Sequence, residues 1–413
     1  MWELIRNNRR KSALIFFLMG ALLLTLGWFL GAALLHSKDG GALGIVFAGI
    51  LWLILTLIAY FSGDSILLSA ANAKEVTPDV HPRLFNVVEE MKIAAGLPKM
   101  PKVYIINDPS PNAFAAGRSP ENCSVAVTAG LLSQLNRDEL QGVVAHEVSH
   151  ILNRDVLFMT FAGVMLGSIA LLSQVFLRSM WFTGGGGGRY SSRDSRGGGG
   201  QAQLIIAVAA IALAILAPIL ARIFYFAISR KREYLADASA ARLTRYPEGL
   251  ASALDKIANS HYDMQKTDSA TAPMYIVNPL NKKSRSAVSW FSTHPPLEER
   301  IRILRNMTHG ASLTDYQEAY TAAKKRIDRV VPKSGLLDKA AVPLRSAFVG
   351  EEAGAAAGKT KQRDLGDLMH KVNQYTFINC PCGIKLKAPP QYNRETVKCP
   401  RCGRVHRVGK SDI

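Results

Sequence analysis

The sequence predicts a mainly α-helical integral membrane protein with about four transmembrane helices, a cytoplasmic α+β domain with a small sheet, and a C-terminal zinc ribbon. Three observations predict it. Four apolar runs are long enough to cross a bilayer. A polar stretch between the second and third runs carries the pattern H-E-x-x-H, and two close cysteine pairs sit near the C-terminus. The 413 residues have room for two or three domains. A hydrophobic content of 48% is high for a soluble protein, and here the apolar residues are gathered in runs. The net charge of +18 admits nucleic acid as a partner. In a membrane protein, however, excess Lys and Arg more often marks cytoplasmic segments, and that reading is favoured. Of five cysteines, four cluster and Cys123 stands alone as a small apolar residue. A disulfide framework is therefore disfavoured and a reducing compartment expected.

Met1–Lys11 is basic and precedes an almost uncharged run, Ser12–Leu35, which is longer than the apolar core of a cleaved signal peptide. A nearly neutral link leads to the second run, Leu43–Phe61. By the positive-inside rule the N-terminus lies in the cytoplasm and the chain returns there. Residues 1–62 thus read as a transmembrane hairpin. From Val76 to Asp155 the chain reads as water-soluble: a helix over Arg83–Ala95, then strands over Lys102–Ile106, Asn112–Gly117 and Ser124–Thr128. Residues 156–228 read as a second hairpin. Its runs, Val156–Leu177 and Leu204–Ile228, are joined by the glycine-rich loop Gly184–Gly200, and Pro218 is tolerable as a kink. A basic flank, Ser229–Glu233, follows and again reads as cytoplasmic.

His146, Glu147 and His150 form the H-E-x-x-H pattern. On a helix, positions i and i+4 share a face, so both imidazoles reach one metal ion. Glu147 lies beside His146, placed to take a proton from a metal-bound water. Asn136 and Glu139 make a capping box for this helix. The bland alternative is an amphipathic surface helix with two chance histidines. The second hairpin bears on that choice, because it returns the chain to the membrane face where the histidines lie. Glu233 and Asp237, spaced i, i+4, follow at once. A glutamate on a neighbouring helix is a standard third zinc ligand, and Asp237 could receive the outer ring N–H of a ligand histidine. Pairing of Glu233 with Arg230 or Arg232 is the alternative. Pro247–Ala258 reads as a helix, and Asn259–Ser284 as a long surface loop. His294, ahead of two prolines and a helix entrance, reads by spacing as a capping residue.

These stretches in this order resemble the HtpX-like membrane zinc metalloproteases, relatives of the CAAX prenyl proteases. The matching segments are His146–His150 with Asn153-Arg-Asp155, then Ser229–Asp237, then Ser292–Arg300, over roughly residues 1–307. The resemblance implies a zincin-like metalloprotease domain in two parts, 76–155 and 229–307, with zinc on His146, His150 and Glu233. It implies Glu147 as general base, Asp237 outside the ligands, and His294 steadying the tetrahedral intermediate. Asn112, Ala113, Phe114 and Ala115 look like the family's substrate-binding edge strand. The resemblance further implies an endopeptidase at the cytoplasmic face of the cell (inner) membrane, acting on misfolded membrane proteins or peptides. Two other readings stand beside it: a catalytically silent membrane scaffold that recruits partners through its ribbon, and a protease of prenylated C-termini.

Residues 308–374 read as a helical and linker region, with a helix over Asp315–Val331 and a linker over Gly350–Asp364. In 375–413, Cys380, Cys382, Cys399 and Cys402 read as a ribbon holding a second, structural zinc. So small a unit needs such a staple. Its Lys and Arg residues suit a protein, lipid or nucleic-acid partner. The sequence leaves the oligomeric state open.

Overall fold

The computed structural model describes residues 2–34, 39–185, 199–264, 274–277, 295–325, 329–336, 342–348 and 358–408. Helices α1 (Trp2–Leu34) and α2 (Gly40–Ala70) form the first hairpin. Small residues seam them: a Cβ on Gly44 would lie 2.1 Å from the Gly27 carbonyl oxygen. Lipid supplies no hydrophobic drive between helices, so this close backbone approach is what holds them. Helices α6 (Val156–Gly185) and α7 (Gly199–Thr244) complete the frame. Among the described residues three helical segments are long and apolar enough to cross a membrane: Ser12–Leu34, Gly40–Ala70 and Val156–Arg178. The fourth run contains Arg222, and is represented by a shorter apolar stretch of α7, Ile205–Ala221.

Between the hairpins lies a sheet of β1 (Ala73–Glu75), β2 (Lys102–Ile106), β3 (Ala113–Ser119) and β4 (Asn122–Thr128), ordered β1-β2-β4-β3. β2 and β4 run parallel, and the other pairs are antiparallel. Strand alternation gives each face its own core. Val103, Ile105, Val125 and Val127 face a core shared with α3 (Pro82–Ala95), α5 (Arg137–Leu152) and α8 (Pro247–Ala258). Ile106, Phe114, Ala116 and Ala126 face a second core, with Leu67, Phe158 and Met159 of the membrane helices. The sheet is thus sandwiched between the water-soluble helices and the membrane frame.

After α4 (Ala129–Gln134), α5 starts at the expected capping box: Asn136 Oδ1 accepts from the Glu139 N–H, and Glu139 Oε2 accepts from the Asn136 N–H. Helices α9 (Leu297–Arg305) and α10 (Leu313–Lys324) pack on the same core as α5. The helix expected to reach Val331 ends at Lys324, where Lys325 takes a left-handed conformation (φ 51°). After the short α11 (Lys333–Leu336) and a segment over 342–348, α12 (Gly358–Val372) begins inside the stretch read as a linker. Two small hairpins, β5 (Thr376–Asn379) with β6 (Lys385–Ala388) and β7 (Thr396–Lys398) with β8 (Val405–Arg407), make the ribbon. Most of the glycine-rich loop, and His294, lie outside the described residues.

Candidate metal centre

Helix α5 presents His146 and His150 one turn apart, and α7 brings Glu233 across to them. Helix α5 is held at close range by α8: a Cβ on Gly142 would sit 2.6 Å from the Leu250 backbone nitrogen. His146 Nε2 lies 3.3 Å from His150 Nε2 and 3.5 Å from Glu233 Oε2, and His150 Nε2 lies 3.5 Å from Glu233 Oε1. Ligands on a tetrahedral zinc with bonds of about 2.0–2.1 Å are separated by about 3.3–3.4 Å. The donor set, two imidazoles and one carboxylate, and its spacing both fit that ion. All three side chains are buried, and so is Glu147 beside them. Burial pushes the Glu147 carboxyl up; the neighbouring imidazoles and the Ala115 backbone N–H pull the other way.

Each ligand histidine turns its outer nitrogen to an aspartate, and each aspartate faces an arginine. His146 Nδ1 lies 3.0 Å from Asp237 Oδ1, whose carboxylate takes a two-pronged contact from Arg300: Nε to Oδ2 at 2.8 Å and Nη2 to Oδ1 at 2.7 Å. His150 Nδ1 lies 3.4 Å from Asp155 Oδ2, and Arg232 Nε approaches Asp155 Oδ1 at 3.5 Å. Arg232 reaches on to Ser12 Oγ at 2.7 Å and stacks over the Phe158 ring. A carboxylate behind a histidine fixes its tautomer and makes it a better ligand. Burial opposes ionisation of Asp237, but Arg300 and His146 outweigh it and hold its carboxyl below the usual range. Burial likewise opposes charge on His146, and Asp237 and Glu233 outweigh it, pushing the metal-free ring up to about 9.

Of the residues singled out from sequence, the structure gathers His146, Glu147, His150, Glu233 and Asp237 in one place. Asn112–Ala115 form the start of the edge strand β3 with its leading residue, adjacent to Glu147. Asp155 and Arg300 lie within the matching segments, and the sequence assigns neither a role. The signal for Arg300 was its register: with Leu297 and Leu304 it occupies i, i+3 and i+7, a core face where a charge needs a partner. At the far end of the chain Cys380 Sγ lies 3.4 Å from both Cys382 Sγ and Cys402 Sγ, and Cys382 Sγ 3.6 Å from Cys399 Sγ. These spacings are far beyond a disulfide of about 2.05 Å.

A histidine pair and a downstream glutamate, buried where a sheet meets apolar helices, define a membrane zinc metalloprotease. The chain belongs to peptidase family M48, which it matches over residues 78–308. It is 46% identical over 306 residues to a "Protease HtpX homolog" of Dictyoglomus turgidum, covering 74% of this chain and 94% of that one. A homologue of the same description from Streptococcus uberis is 41% identical over 307 residues, 74% of this chain and 100% of that one. Among solved structures, the crystal structure of S. mikatae Ste24p aligns with a TM-score of 0.36 and 21% identity, over 73% of this chain and 66% of that one.

Proposed function

We propose that the chain cleaves peptide bonds of misfolded membrane proteins at the cytoplasmic face of the cell membrane, with Glu147 as the general base. The observation that carries this is the triangle of His146, His150 and Glu233 donors with Glu147 alongside. Zinc held there would polarise a substrate carbonyl and acidify a water. Glu147 is placed to take a proton from the attacking water and would hand it to the leaving amine. Asp237 and Asp155 keep the two rings oriented, and Arg300 balances the negative charge around His146. β3 offers backbone partners to an extended chain, so affinity does not require one particular sequence. His294 steadies the tetrahedral intermediate by carry-over from the family pattern. Two basic flanks, Arg6–Lys11 and Arg230–Arg232, favour the cytoplasmic side.

The four C-terminal thiols hold a second, structural zinc in this reading. All lie within 4.8 Å of one another, close to the roughly 3.8 Å separation of sulfurs around a tetrahedral zinc with bonds of about 2.3 Å. The ribbon's basic residues then serve to contact a partner.

The test is cleavage of an unstructured reporter by the full-length protein in detergent, beside Glu147→Gln, with zinc measured in both. The expected result is unchanged zinc and a loss of activity of about 10²–10⁴-fold. A Cys399→Ser, Cys402→Ser background should lose one zinc per chain and keep cleavage. If Glu147→Gln cleaves as well as wild type, the role given to Glu147 is wrong.

A further inference from the structure

An edge strand exposes backbone donors and acceptors that any extended chain can pair with. The β3 edge is already paired with the chain itself. The Ile276 N–H donates to the Ala113 carbonyl at 2.9 Å. Asn112 grips the next residue with both amide atoms: Nδ2 donates to the Val277 carbonyl at 2.8 Å, and Oδ1 accepts from the Val277 N–H at 3.3 Å. The two central side chains, Tyr275 and Ile276, go to opposite faces of the sheet. Tyr275 stands edge-on to Phe114, with centroids 5.1 Å apart and ring planes at 80°, in the core shared with the membrane helices. Ile276 joins the core on the other face. Opposite faces for these two neighbours are what a paired strand gives, while Met274 stays on the Tyr275 side and Val277 on the Ile276 side, so the strand-like contact is confined to the centre of the segment.

Its position matters for the chemistry. Two residues along β3 from Ala113, the Ala115 N–H faces the Glu147 carboxylate. His146, Glu147, His150 and Glu233 are each at most 3% exposed, so a peptide cannot reach them as the chain stands. A substrate pairing with the Ala113 carbonyl must take the place of Ile276.

We propose that Met274–Val277 is a displaceable resident of the substrate cleft, and that the cleft takes extended segments presenting an aromatic or large apolar residue against Phe114. This rests on the protease reading and specifies its substrate class. The resident is tethered, so its effective concentration is high and only a chain matching both backbone and side chains displaces it. An apolar segment of an unfolded protein does both, whereas a polar one matches the backbone alone.

The experiment uses the full-length protein in detergent and two fluorogenic peptides, one with a central tyrosine among aliphatic residues and one polar. Ile276→Pro removes the N–H that holds Ala113, and Tyr275→Ala removes the ring that holds Phe114. Each variant should raise kcat/KM for the apolar peptide about 2- to 10-fold, chiefly through KM, the worth of one hydrogen bond or a ring contact. In Glu147→Gln, saturation with the apolar peptide should speed amide hydrogen exchange across residues 274–277, and the polar peptide should not. A folded variant with unchanged or lower kcat/KM overturns the proposal, as does exchange that ignores the apolar peptide. If neither variant folds, the exchange measurement decides. Failure of the protease reading looks different: wild type and Glu147→Gln are then equally inactive on both peptides.

Discussion

Arg300 has no solvent exposure, and its charge is met by Asp237 on one side and Glu233, at 3.4 Å, on the other. Removing one partner of a buried pair strands the other, so Arg300→Leu should destabilise by about 3–5 kcal/mol, read as a lower Tm. It should also weaken zinc binding by about 10–100-fold through a misdirected His146, measured by competition with a chelator. Arg300→Lys keeps the charge but lacks the fork, and should rescue neither effect fully. The raised pKa of His146 in the metal-free protein gives a pH dependence of defined sign. Zinc needs the neutral ring, and below about 9 the ring is protonated. Apparent zinc affinity should therefore fall about tenfold per pH unit as pH drops below 9, and level off above it. Calorimetry at pH 7 in buffers of different ionisation enthalpy should find about one proton released from this ring. The gathering of His146, His150, Glu233 and Asp237 was legible because H-E-x-x-H and the Glu233–Asp237 pair each occupy one helix face. Arg300 carries only the weak signal of sharing a helix face with Leu297 and Leu304, which two neighbouring glutamates mask until the helix is docked.

Helix α7 joins membrane and chemistry in one element. Sequence reading separates the apolar run from the helix carrying Glu233, because composition changes abruptly at Ser229-Arg-Lys-Arg. The backbone does not change, since Arg, Lys, Glu, Leu and Ala all favour helix and no proline lies between Pro218 and Pro247. The result is one helix over Gly199–Thr244, so Glu233 inherits its orientation from the membrane segment. A single alanine inserted after Ser229 should turn Glu233 by about 100° away from the histidines and abolish binding of the catalytic zinc. Binding at the cysteine cluster should persist, so zinc counting separates the two sites. On α5 the sensitive point is Gly142, where α8 backbone is in contact. Gly142→Ala should force the helices apart at a cost of about 1–3 kcal/mol, seen as a lower Tm with zinc affinity reduced as well.

At the scale of the whole molecule the C-terminal region divides into a part built into the protease core and a part that is not. The family match ends at residue 308, and the sequence beyond it reads as helix and linker. Yet Leu313, Tyr316, Tyr320 and Val331 are buried in the core that holds α5 and α9. Composition could not reveal this, because the burial depends on contacts with residues far away in sequence. Farther on, Arg345 donates to Asp138 Oδ1 at 2.7 Å and to Gln141 Oε1 at 2.6 Å on α5, and to the Thr244 carbonyl at 2.9 Å at the end of α7. It thus clamps together the two helices that carry the ligands. The ribbon beyond α12 keeps a separate small core of Cys380, Leu386 and Cys399. Two truncations should therefore behave oppositely. Ending the chain after Gln374 removes the ribbon but leaves the clamp and α12, whose Leu365 and Val372 are buried in the protease core, and should keep reporter cleavage within about twofold, since no group near the metal is lost. Ending it after Met307 removes Leu313, Tyr316, Tyr320, Val331, Leu365 and Val372 among other buried side chains, each of these worth about 1.5–3 kcal/mol, together with the clamp. That chain should lose its cooperative melting transition and its zinc together. Equal activity from the two truncations would mean that residues 308–374 contribute nothing to holding α5 against α7.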